Sequence, residues 1–242
     1  MHPKLVRKAF YPFYRALRRD NVLAYLEEMR RVQMIAPDEI RKFQWAKLAK
    51  ILAYAARHVP YYRDLMSRHD MSPEDFKEEA DLRRLPLLRK RDIMADPEAF
   101  IPDDYPRRHL TPDATSGSTG ESFYFNVGRE ARQAVSANTI RMNEWIDIDV
   151  GDKIALLWGT AFDMARARRF STAVKNWLSN QTILSLYRMD ESSLDEYVKR
   201  LGRFRPDLLA GYPSAMAHLA GAATEDHEQK ITNTASGGGV EA

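Results

Sequence analysis

The chain has 242 residues, of which 44% are hydrophobic and 29% charged. That length can bury a large core, and the balance is globular rather than disordered or fibrous. Its 37 basic and 34 acidic side chains leave a formal charge of only +3, too small to argue for a nucleic-acid partner. Cysteine is absent, which excludes disulfides, thiolate catalysis and thiolate metal sites and fits a cytoplasmic location.

No stretch approaches the roughly 18 to 20 apolar residues of a membrane span, and the opening residues lack the apolar run of a signal peptide. They are nonetheless distinctive. Before Asp20 stand six basic side chains (Lys4, Arg7, Lys8, Arg15, Arg18 and Arg19) and no acid, with Leu5, Val6, Phe10, Phe13, Tyr14 and Leu17 between them. Two readings stand: peripheral contact with an anionic membrane surface, or a helix packed on the domain with its charges in water. Pro12 argues against one uninterrupted helix.

The first hundred residues read as helical. From Asp38 to His58, Ile40, Phe43, Leu48, Ile51, Leu52 and Ala55 recur at helical steps, Pro37 precedes the start and Pro60 marks the stop. Ser72 with Asp75 has the spacing of a capping box. Leu85 to Leu88 followed by Arg89-Lys90-Arg91 and Asp92 reads as a turn entering a helix, its charges a solvated face. After Tyr105 the pattern becomes alternating. Strands are expected at Ser122 to Val127, Lys153 to Trp158, Thr182 to Tyr187, Asp207 to Ala210 and near Lys230 to Thr234. Helices are expected at Glu130 to Ile146, Arg166 to Ser179, Ser193 to Phe204 and Ser214 to Ala223. The fold class is therefore α/β: a helical region over residues 1–104, then a layered α/β subdomain with a largely parallel sheet over 105–242.

The segment Thr115-Ser116-Gly117-Ser118-Thr119-Gly120 carries the chemistry. Four hydroxyl residues and two glycines in six positions do not make a core element. Glycine lets backbone approach a ligand closely, successive amides form a concave anion site, and the hydroxyls add donors. The aromatic strand from Ser122 to Phe125 would anchor the turn. It is no Walker A loop, because Gly120 is followed by Glu121. The alternative is a flexible polar loop.

This hexapeptide resembles the phosphate-binding motif of the adenylate-forming superfamily. Pro60-Tyr61-Tyr62-Arg63, Leu85-Pro86-Leu87, Gly151-Asp152-Lys153, Arg205-Pro206-Asp207 and Gly211-Tyr212-Pro213-Ser214, in that order, resemble the branch containing phenylacetate-CoA ligases and capsular-polysaccharide adenylating proteins. The resemblance implies ATP-dependent activation of a carboxylic acid as an acyl-adenylate, then transfer to coenzyme A or another thiol. It implies ATP with Mg²⁺ and coenzyme A as co-substrates, and small-molecule partners rather than nucleic acid. Thr115, Ser116, Gly117, Ser118, Thr119 and Gly120 would hold the ATP phosphates. Trp158, Gly159, Tyr212, Pro213 and Ser214 would border the acyl pocket, although Trp158 and Tyr212 also read as core aromatics, the latter at a helix-start turn. Ser236, Gly237 and Gly238 resemble a nucleotide-proximal segment, with Gly238 where the family usually has Glu.

No catalytic residue is assigned. The six histidines make no metal-ligand spacing, and Gly211-Tyr212-Pro213-Ser214 lacks the glycine a nucleophile elbow wants. The family's acidic motif, ribose-binding aspartate and C-terminal lysine belong to downstream segments, so the expectation is an N-terminal portion with little turnover alone. The alternative function is a non-catalytic nucleotide- or partner-binding protein in polysaccharide or lipid assembly.

Overall fold

In the computed structural model, residues 2–115, 123–158, 176–186 and 190–236 are described. They group into two compact units, Asn21–Arg141 and Met1–Asp20 with Met142–Ala242.

The chain opens with helix α1 (Pro3–Leu5), a π-helical turn (Val6–Phe10) and α2 (Tyr11–Leu17), which form one continuous helical run. Pro12 does not break it. A proline lacks an N–H and crowds the carbonyl one turn back. Here the wider turn, with the Tyr11 amide bonded to the Val6 carbonyl, comes immediately before the proline and relieves that conflict.

The Asn21–Arg141 unit contains α3 (Val22–Val32), α4 (Pro37–His58), α5 (Pro60–Arg68) and α6 (Lys90–Ala95). Pro37 and Pro60 both sit at first helical positions, where their missing N–H leaves no bond unmade. The expected Ser72–Asp75 capping box is present and opens a single 3₁₀ turn, Pro73–Asp75. Leu52, Met66 and Phe76 form one buried cluster of this unit; Val22, Leu26 and Ala137 form another.

A two-stranded antiparallel ribbon follows, β1 (Thr111–Ala114) with β2 (Tyr124–Val127), before α7 (Arg129–Glu144). Strand β1 was not expected from the sequence, and it contains Pro112, a residue that strands usually exclude. The register explains the tolerance: Pro112 faces Asn126, an odd number of positions from the hydrogen-bonded Thr115–Phe123 pair. It therefore sits at a non-hydrogen-bonded position, where no ladder donor is needed.

The second sheet is parallel, in the order β4 (Gln181–Leu184), β3 (Ile154–Leu157), β5 (Leu208–Gly211). Its central strand, Ile-Ala-Leu-Leu, is a continuous apolar run, as a strand covered on both faces should be. Helices α8 (Glu191–Phe204) and α9 (Pro213–Ser236) follow β4 and β5 in the chain. Leu157 and Leu184 of the sheet pack with Tyr197 of α8 and with Ala215 and Leu219 of α9. Asp190 caps α8 by accepting from the Ser193 amide. The strand expected near Lys230 to Thr234 is instead the last part of α9. The β-branched residues there join a helix already nucleated at Pro213, and extending it costs less than starting a strand.

Candidate functional site

The parallel sheet is tied together at the amino ends of its strands. At the amino ends of β3 and β5, the Asp207 carboxylate accepts from the Lys153 amide at 2.8 Å, and the Asp207 amide donates to the Lys153 carbonyl at 2.8 Å. Asp152 accepts from the Asp149 amide at 2.7 Å. Gly151 has φ +100°, a region closed to most side chains. A Cβ there would lie 2.6 Å from the Pro3 carbonyl oxygen, and the Gly151 carbonyl accepts from buried Asn180 Nδ2 at 2.7 Å. Arg7 reaches the same turn, 2.9 Å from Asp149 and 3.1 Å from the Val150 carbonyl. The Gly-Asp-Lys and Arg-Pro-Asp landmarks are thus a clamp that sets strand register.

At the carboxyl ends, Leu157 pairs with Gly211. A Cβ on Gly211 would come 2.5 Å from Leu157 Cβ and 2.7 Å from its carbonyl oxygen, so only glycine allows this approach. The next residue on each strand is aromatic. Trp158 and Tyr212 stack with ring centroids 5.0 Å apart and planes 20° from parallel, and each is 50% exposed. Neither is a core aromatic. The Tyr212 carbonyl accepts the first bond of α9 from the Met216 amide at 3.0 Å, with Pro213 at the first helical position and Ser214 exposed beside it. A flat aromatic face at the carboxyl edge of a parallel sheet stands where open α/β folds bind ligands. It can cover a planar or apolar part of a small molecule. His218 is exposed, while Met216 packs against the core.

In the ribbon, Thr115 continues the β1–β2 ladder. Its amide donates to the Phe123 carbonyl at 3.0 Å, and its hydroxyl oxygen accepts from the Phe123 amide at 3.3 Å. Thr115 closes the base of the segment joining β1 to β2, with Phe123 and Phe125 stacked behind it at 5.7 Å. Its amide is used; its hydroxyl proton can still be donated. Ser116, Gly117, Ser118, Thr119 and Gly120 lie outside the described residues, as do Gly159, Gly237 and Gly238. Ser236 is the last residue of α9.

Sequence spacing contains no metal-ligand pair, yet the fold brings His58 Nδ1 to 3.3 Å from both Asp103 Oδ1 and Asp104 Oδ2. It is the one such group among the described residues. Both carboxylates already have partners: Arg63 donates to Asp103 at 3.0 Å and Tyr54 to Asp104 at 2.6 Å. Arg63, then His58, holds the Asp103 carboxyl below the usual range. An imidazole with two carboxylates that already accept from Arg63 and Tyr54 does not match the oxygen-only octahedron that Mg²⁺ requires.

Comparison with known proteins gives this arrangement a family context. A structure of 2-hydroxyisobutyryl-CoA ligase in complex with 2-HIB-AMP and CoA superposes with a TM-score of 0.63 at 22% identity, over 80% of this chain and 41% of that one. The chain is related to the N-terminal portion of the adenylate-forming ligases. Protein CapK of Staphylococcus aureus is 23% identical over 198 residues, 81% of this chain and 42% of CapK. Phenylacetate-coenzyme A ligases of Thermus thermophilus and Escherichia coli are 30% and 31% identical over 91 residues, 37% of this chain and about a fifth of each enzyme. The chain thus spans less than half the length of these relatives. No protein-family model matches it.

Proposed function

We propose that this chain belongs to an ATP-dependent acid–thiol ligase and supplies two groups of ligand-binding residues. The first is the hydroxyl- and glycine-rich segment Ser116–Gly120, held at its base by Thr115, for the β- and γ-phosphates of ATP. The second is the Trp158–Tyr212 face, with Gly159, Pro213 and Ser214 beside it, for the acyl group. In the reaction a carboxylate oxygen attacks the α-phosphorus, the bond to the β-phosphate oxygen breaks, and pyrophosphate leaves. A thiol, coenzyme A in the simplest case, then displaces AMP. Both anions must approach one another, so donors fixed around the departing phosphates contribute most. Mg²⁺ would be bound mainly through the phosphates themselves. Ser236, Gly237 and Gly238 are assigned beside the nucleotide.

The observation that carries this reading is the exposed, stacked Trp158–Tyr212 pair, held at the carboxyl edge of a parallel sheet by the Leu157–Gly211 approach. Relatives named as acid-CoA ligases support it. The test is binding of a non-hydrolysable acyl-adenylate analogue, followed by tryptophan fluorescence. Tyr212→Ala should weaken binding about tenfold, from loss of aromatic contact worth roughly 1 kcal/mol plus buried area. Equal affinity for wild type and Tyr212→Ala would remove Tyr212 from the pocket.

A further inference from the structure

We propose that the outward face of the N-terminal helical run is a docking surface for an anionic lipid bilayer. It does not depend on the ligase reading. Residues 3–17 have two unlike faces. The inner face is fixed: Val6 is fully buried and Tyr11 is 6% exposed. Arg7 is bound to Asp149 and Val150, and Arg15 pairs with Asp20 at 3.0 Å and donates to the Tyr11 hydroxyl. The two arginines that face the protein therefore have carboxylate partners. The outer face is apolar where a water-facing helix should be polar. Leu5 is 50%, Phe13 68% and Leu17 72% exposed, and Lys4 and Lys8 are exposed beside them.

Charge decides what covers this face. The first nineteen residues contain six cations and no acid, so Arg7 and Arg15 must find their carboxylates beyond residue 19 and no acid of the run offsets Lys4 and Lys8. A helix with an apolar outer row flanked by lysines fits the boundary between anionic headgroups and acyl chains, lying in the plane of the membrane. Fifteen helical residues extend about 22 Å, enough to lie on the surface; no helix among the described residues is long and apolar enough to cross.

Co-sedimentation of the chain with vesicles tests this. Binding to phosphatidylcholine vesicles containing phosphatidylserine, with little to phosphatidylcholine alone, is the expected result, and it should fall as salt screens the charges. Lys4→Gln with Lys8→Gln should weaken binding about 25-fold, from roughly fivefold per cation at an anionic surface. Phe13→Ser with Leu17→Ser should weaken it more than about tenfold, from loss of two buried apolar side chains. Leu87→Ser, at a residue 90% exposed outside the run, should leave it unchanged. Equal binding to both vesicle types overturns the proposal. So does insensitivity to both double substitutions in folded protein, or no vesicle binding by a chain that self-associates through this face.

Discussion

The close approach of Leu157 and Gly211 permits a prediction with an internal control. In Gly211→Ala the new methyl would sit 2.5 Å from Leu157 Cβ and 2.7 Å from the Leu157 carbonyl oxygen, nearly 1 Å inside ordinary contact. The nearest atoms belong to backbone and a Cβ, so no side-chain rotation relieves the clash and the strands must separate. Overpacking of this kind costs about 1–3 kcal/mol, and weakening one or two ladder bonds adds about 1 kcal/mol. The total, about 2–4 kcal/mol, is a large share of the 5–15 kcal/mol typical of a domain. The same substitution at Gly202, in helix α8 with no atom within 4 Å of the new methyl, should stabilise by about 0.5–1 kcal/mol. Urea unfolding by circular dichroism measures both, with midpoints moving in opposite directions. A Gly211→Ala midpoint at or above that of wild type would refute the strand contact and the placement of Trp158 and Tyr212 that depends on it.

Further outcomes follow from the same geometry. Gly151→Ala combines a positive φ with a methyl 2.6 Å from the Pro3 carbonyl; strain and overpacking together should cost about 2–6 kcal/mol. It should also speed tryptic cleavage at Arg7 and Lys8, and unchanged cleavage would sever that turn from the helical run. The acid limb of stability in the Asn21–Arg141 unit should respond to Arg63 and Tyr105. Arg63 and His58 lower the Asp103 carboxyl, and the Tyr105 hydroxyl lowers that of Glu130. Both folded values lie below the unfolded values of about 4. Their contribution is therefore complete above about pH 4.3 and is lost as pH falls through the folded values. Arg63→Met and Tyr105→Phe should flatten that fall below about pH 4.3 (roughly the unfolded carboxylate value), read as unfolding midpoints against pH; an unchanged slope would contradict both pairings.

What was legible in the sequence was what repeats locally. The helical periods over Asp38 to His58 and Ser193 to Phe204 and the strand run Lys153 to Trp158 were read from sequence, and helices form over Pro37–His58 and Glu191–Phe204 and a strand over Ile154–Leu157. Two errors share one cause. The strand over Thr111–Ala114 was missed and one near Lys230 to Thr234 was expected, and in both cases context decided: Pro112 takes a non-hydrogen-bonded ladder position in the first, and a helix is already under way in the second. Tertiary closures were invisible. Nothing local to Gly151 shows that Pro3 will press against it, and nothing near His58 foretells Asp103 and Asp104. The Trp158–Tyr212 stack was half legible. Both residues were picked out at strand ends, but as core side chains or pocket walls; that they touch follows only once β3 and β5 are neighbours in parallel register.

The assignment of residues 116–120 to the phosphates of a nucleoside triphosphate is tested most directly by titrating ATP with Mg²⁺ into isotopically labelled protein and following backbone amide resonances. The account predicts saturable shifts at Ser116, Gly117, Ser118, Thr119 and Gly120, a small shift at Thr115 whose amide is already bonded to Phe123, and none of these with adenosine. Shifts confined to other regions, or equal shifts with adenosine and ATP, would contradict it.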